Sequence, residues 1–122
     1  MYEKSLIIDS LRIIEKSLLH IIDRTSWITT VDDFVCSPTG VDMLDVATIR
    51  LMAIGEEIKK IDKRTEGKLL SIYPDVDWKS IMGMRNFIAH AYYHVDAAII
   101  FDTLQNNVQP LLATIQKIIS DL

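Results

Sequence analysis

The sequence predicts an all-α protein: an up-and-down antiparallel bundle of four to five helices, forming one domain over residues 1–122. Three observations carry this reading. Apolar residues make up 49% of the chain, mostly Ile and Leu, and they recur every three or four positions instead of alternating. Turn formers are scarce, with four Gly and three Pro, and they gather between the periodic stretches. A chain of this length buries roughly two-thirds of its unfolded surface as a single domain, enough for one core.

The first helix is expected over residues 3–24, where Ile7, Leu11, Ile14, Leu18 and Ile21 line one side. Leu6, Ile13, Leu19 and Ile22 widen its apolar arc. A helix that is apolar on more than one side needs more than one neighbour, so part of this surface is expected to meet another subunit. From Thr25 to Gly40, the turn formers Asp32, Asp33, Ser37, Pro38 and Gly40 predict a loop, with Trp27 and Phe34 as its anchors. Asp42 is placed to cap a second helix running to about Glu66 and stopped by Gly67. Its buried side would be Leu44, Ala47, Leu51, Ile54, Ile58 and Ile61, with Glu56 and Lys60 paired on the outside.

Pro74 biases Tyr73 away from helical geometry and forces a break. Asp77 then caps a third helix of about 14 residues ending near His90 or Ala91. Asp96 caps a fourth, with Ile99, Ile100, Leu104 and Val108 inward. Pro110 lacks an amide hydrogen and is expected to kink or split that helix. Leu111, Leu112, Ile115, Ile118 and Ile119 continue the apolar pattern to the end of the sequence.

Composition narrows the functional classes. A net charge of −4 argues against indiscriminate nucleic-acid binding, which normally shows as a basic surface. The exception is local: Lys59, Lys60, Lys63, Arg64 and Lys68, diluted by Asp62 and Glu66. These read either as a solvated helix end, favoured by the helix dipole, or as a rim for an RNA backbone. No apolar run approaches the roughly 18–20 residues needed to cross a bilayer, and no signal-type segment opens the chain. The single cysteine, Cys36, excludes an internal disulfide, and scattered histidines make a structural zinc site improbable. The expectation is a cytoplasmic protein without a metal or other cofactor.

The most informative stretch is Met84-Arg85-Asn86-Phe87-Ile88-Ala89-His90-Ala91-Tyr92. Arginine is a permanent cation whose planar fork suits phosphate oxygens. Histidine, with an ordinary pKa of about 6.5, suits proton transfer near neutrality. Together they are the minimum equipment for cutting RNA without a metal, because RNA carries its own nucleophile in the 2′-hydroxyl. Taken alone, such a pair is more often a solvated cation and a satisfied core or rim histidine. Geometry adds a constraint, since residues five apart point about 140° from each other on a helix. Arg85 and His90 therefore cannot converge within one straight helix. Either the helix unwinds near His90, or a second copy of the chain completes the site.

The pattern Arg85-Asn86-x3-His90-x-Tyr92 resembles the Arg-x4-His-x-Tyr signature of HepT-like proteins in the HEPN superfamily. Ile54-Gly55-Glu56 resembles that family's Gly-Glu element, Trp78 to Met84 its approach to the Arg-Asn pair, and Val95-Asp96 its restart after the histidine. These elements lie in family order over roughly residues 42–112.

The resemblance implies a homodimer in which two copies of the motif meet in one cleft. It further implies an endoribonuclease toxin of a toxin–antitoxin pair, whose partner is a small nucleotidyltransferase antitoxin of the MNT type. In this reading His90 acts as base or acid and Arg85 stabilises the phosphorane. Asn86 orients the histidine or donates to a phosphate oxygen. Glu56 either pairs with Lys60 on the surface or faces the motif helix and holds Arg85. By the same resemblance Tyr92 accepts AMP from the nucleotidyltransferase; otherwise it is a ring-buried residue at a helix end. Asp96 reads as a cap, not a catalytic acid, and His20 and His94 read as structural or exposed. The competing reading is a non-catalytic helical dimer that binds and regulates a nucleotidyltransferase, favoured by the acidic net charge.

Overall fold

A computed structural model of the chain describes the backbone of residues 3–90 and 96–122 and the side chains of 3–84 and 96–122. It is an all-α bundle: α1 (Lys4–Arg24), α2 (Asp32–Val35), α3 (Pro38–Arg64), α4 (Trp78–His90), α5 (Ala97–Asn106) and α6 (Val108–Asp121). One 3-10 turn, Leu70–Ile72, lies between α3 and α4. The long helix α3 is the spine, packing most extensively against α4 and α1, while α6 closes against α1.

The core follows the periodicity. Ile7, Leu11, Ile14, Leu18 and Ile21 of α1 meet Ala47, Leu51, Ile54, Ile58 and Ile61 of α3, and Ile115 and Ile118 of α6 complete the cluster. Leu6, Ile13 and Leu19 remain exposed, so the chain itself does not cover the wider apolar arc of α1.

Several local expectations are corrected. The segment expected as a loop contains the short helix α2, and α3 begins at Pro38, not after an Asp42 cap. Ser37 is the cap, its Oγ accepting from the Gly40 amide at 3.0 Å, and proline at the first helical position needs no amide partner. Gly40 is helical and buried because the chain turns tightly there: a methyl group on it would collide with the Asp33 backbone carbonyl. Phe34 anchors this corner as expected, fully buried, but Trp27 is 44% exposed and Ile28 packs inward instead. At the far end, α3 stops at Arg64, and Glu66 and Gly67 turn away with φ of 54° and 74°. Lys60 pairs with Glu57 at 3.8 Å, not with Glu56.

The two later caps form as expected. Asp96 accepts from the Ala98 amide at 2.8 Å, and Asp77 accepts from the Ser80 amide at 3.2 Å. The C-terminal segment divides at Asn107 into α5 and α6, leaving Pro110 in the first turn of α6, where its missing amide costs no intrahelical bond. Ile100 and Val108 are buried, Leu104 is half-buried, and Ile99 is exposed, against expectation. No helix among the described residues is long and apolar enough to cross a membrane.

Candidate active site

The start of α4 is fixed by three contacts. Asp77 accepts from both the amide and the hydroxyl of Ser80, the latter at 2.7 Å. Those bonds hold the Asp77 carboxyl below its ordinary pKa, the Ser80 hydroxyl being the largest cause. Trp78 is buried and donates its indole N–H to the Tyr73 carbonyl at 2.8 Å, which ties the helix to the turn before it. The Tyr73 hydroxyl in turn donates to Asp121 Oδ2 at 2.7 Å, linking this corner to the end of α6.

From there the helix register sorts the residues. Trp78, Ile81, Met82 and Met84 pack toward the core. Lys79 and Gly83 are exposed, and helical periodicity brings positions 86 and 90, three and seven residues beyond Gly83, to the same side of the helix. Asn86 and His90 thus stand in register with exposed residues, while the Arg85 position lies about 140° from that of His90. Both motif residues lie on α4, with backbone positions about 7.5 Å apart along its axis. Tyr92 lies outside the described residues, so its place relative to the motif belongs to the proposal below.

On α3, Gly55 is buried and Glu56 is half-buried, one turn from Lys59 and Lys60 and two from Lys63. The basic cluster resolves unevenly. Lys60 is taken by Glu57 and Lys68 by Glu66, whereas Lys59, Lys63 and Arg64 are exposed and form no ion pair among the described residues.

A cleft of about 450 Å³ lies between α3, α4 and the α5–α6 corner, with Leu51, Ile54, Ile81 and Met84 among its apolar walls. On the α4 side it is lined by the cap residue Asp77 and by Ser80, Ile81 and Met84, positions on a different face from those of Gly83 and His90, and Asp75 and Asp77 give it an acidic rim. Such a rim disfavours phosphate. Among the described residues no three His, Cys, Asp or Glu side chains gather into a metal-binding group.

The sequence reading did not identify the cleft, nor the two polar rungs between α1 and α3, Ser10 to Glu57 and Arg50 to Ser17. The spacing held the signal for the rungs: each pair repeats after seven residues on both helices.

Comparison with known proteins places this architecture. The family model described as "Ribonuclease HepT-like" matches residues 13–118. The protein named "Putative RNase MJ0125" of Methanocaldococcus jannaschii is 36% identical over 77 residues, 62% of this chain and 63% of its own length. "Putative RNase TTE0752" of Caldanaerobacter subterraneus is 32% identical over 100 residues, 81% of each chain. "Probable ribonuclease HepT" of Thermococcus cleftensis is 24% identical over 100 residues, 82% of this chain and 84% of its own. The match thus spans less than two-thirds of the first relative's length and about four-fifths of the other two. No solved structure matches. On the family match, which covers most of its length, the chain belongs to the HepT-like ribonuclease family.

Proposed function

We propose that the chain is a metal-independent endoribonuclease, the toxin of a toxin–antitoxin pair, working as a homodimer in the cytoplasm. What supports this reading is the helical periodicity of α4, by which positions 86 and 90 fall on the side of Lys79 and Gly83, both exposed. A histidine on an outer face can meet a substrate and a second chain; one on the core face could meet neither.

The chemistry follows from the need for two proton transfers. A base removes the 2′-hydroxyl proton, and the 2′-oxygen attacks phosphorus. An acid protonates the departing 5′-oxygen, leaving a 2′,3′-cyclic phosphate and a 5′-hydroxyl. Each such transfer contributes typically about 10²–10⁴-fold. One chain supplies one motif histidine and a symmetric dimer supplies two, so His90 of each copy serves as base or acid. Arg85 stabilises the charge building on the phosphorane oxygens. Asn86 orients the imidazole or donates to a phosphate oxygen. Glu56, half-buried on α3 beside the buried Gly55, holds Arg85 in position. The uncovered apolar residues of α1 support association with other chains.

The partner is an MNT-type nucleotidyltransferase that inhibits the nuclease by modifying Tyr92. The Tyr92 phenolic oxygen attacks the α-phosphorus of ATP, pyrophosphate leaves, and the phenolic proton passes to solvent. The attached phosphate then occupies the anion grip of Arg85 and excludes RNA.

The second reading, a non-catalytic dimer that regulates a nucleotidyltransferase, is favoured by the net charge of −4. Expression of the chain alone separates the two. Growth arrest that Arg85→Ala relieves supports the nuclease; unimpaired growth supports the regulator.

A further inference from the structure

We propose that the outer face of α4 ahead of the motif, carrying Lys79 and Gly83, is the track along which the RNA backbone reaches the site. This rests on the ribonuclease reading and adds the substrate contact that reading leaves unassigned.

Two residues point to it independently. Gly83 sits inside α4, where glycine is less stable than alanine because more backbone freedom is lost on folding. Nothing among the described residues calls for it: its φ is not positive, it is exposed, and a methyl group there would meet none of their atoms within 4 Å. What glycine does offer is bare backbone, over which a sugar–phosphate chain can pass at close range. Gly83 and His90 are seven residues apart, so they share a face about 10 Å apart along the axis.

Lys79 lies one turn before Gly83 on the same face, exposed, and forms no ion pair among the described residues. The nearest acid in sequence, Asp77, has both carboxylate oxygens engaged by Ser80 and lies on the cleft side of the helix. The lysine feels that carboxylate, whose pKa it helps to lower, but forms no salt bridge with it, so its exposed ammonium can still meet a phosphate. The two sides of α4 differ in sign: Asp75 and Asp77 rim the cleft, while Lys79 opens the outer face. An RNA strand is turned away from the first and drawn along the second toward His90, about 16 Å further on. An acidic protein needs few such contacts if they stand in line with the reacting groups.

The test is a titration of a fluorescein-labelled single-stranded RNA with the full-length His90→Ala chain over a salt series. Lys79→Gln in that background should weaken binding several-fold and lower the slope of log affinity against log salt by about 0.7, one phosphate contact on a single strand. Lys79→Arg should keep both, and Lys117→Gln, exposed on α6, should change neither. Gly83→Ala should raise the thermal midpoint and still weaken RNA binding.

Unchanged affinity and slope with Lys79→Gln overturn the track, as does wild-type protein that binds no RNA. If Gly83→Ala shifts only the sedimentation behaviour and leaves RNA affinity intact, a second copy covers this face and the track is again overturned. A Lys79-dependent slope in a protein that cuts no RNA supports the track while defeating the nuclease reading.

Discussion

Ser10 Oγ on α1 donates to Glu57 Oε1 on α3 at 2.8 Å, across 47 residues of sequence. Seven residues later on α1 and seven earlier on α3, Arg50 Nη1 donates to Ser17 Oγ at 3.5 Å, a longer and weaker rung. The pair sets the register of α1 against the helix that carries Glu56. Ser10 is buried and Glu57 half-buried, so a carboxylate that loses its donor there is poorly compensated by water. Ser10→Ala should destabilise the fold by about 1–2 kcal/mol, read as a lower urea midpoint with an unchanged slope. A midpoint equal to wild type would show that the Glu57–Lys60 contact alone satisfies the carboxylate.

The corner between α2 and α3 depends on backbone contact. Gly40 touches the Asp33 carbonyl so closely that any side chain must displace it. Gly40→Ala should cost about 1–3 kcal/mol, the usual range for overpacking, although alanine has the higher helix propensity. Thermal unfolding at matched concentration checks this, and a raised midpoint would contradict the packing described.

Two aspartates give the fold an acid limb. Asp33 accepts from the Thr29 amide at 2.8 Å and the Thr30 amide at 3.2 Å, which lowers its pKa, the Thr29 amide being the largest cause. Asp77 is lowered chiefly by the Ser80 hydroxyl. A carboxylate with a depressed folded pKa stabilises the protein above the ordinary aspartate value, about 3.9, and loses that contribution as pH falls through the folded value. Asp77→Asn keeps a competent cap but removes the charge. Its stability at pH 7 should stay near wild type, and the loss between pH 4 and pH 2 should shrink. An acid limb as steep as wild type would sink this assignment.

Modification of Tyr92 has a direct readout. Incubation with an MNT-type nucleotidyltransferase and ATP should add AMP mass to the Tyr92 peptide and abolish RNA cleavage. Tyr92→Phe should stay unmodified and active in the same mixture. Unchanged mass, or labelling confined to Tyr93, would count against the proposed acceptor.

The elements that sequence reading located best are those whose signal is local. Asp77, Asp96 and Pro110 each act within one turn of their own position, and each cap or break occurs where the pattern puts it. The misplacements have tertiary causes. The Ser37-Pro38 start of α3 was masked by Gly40, which reads as a loop residue but stands in the first turn of the helix, where the Asp33 carbonyl leaves no room for a side chain. Trp27 looks like an anchor by size, yet Ile28 fills the space. Lys60 had two acidic neighbours within reach, and sequence alone does not choose between Glu56 and Glu57. At the candidate site, periodicity fixes which positions share a face of α4. It does not encode convergence of Arg85 and His90, which in the proposed dimer depends on a second chain.

The most direct measurement is a digest of single-stranded RNA in EDTA with end-group analysis, comparing wild type with His90→Ala. The account predicts 2′,3′-cyclic phosphate and 5′-hydroxyl ends from the wild type and a rate at least about 10²-fold lower from the variant. Full cleavage by His90→Ala, or wild-type cleavage that strictly requires Mg²⁺, would contradict it.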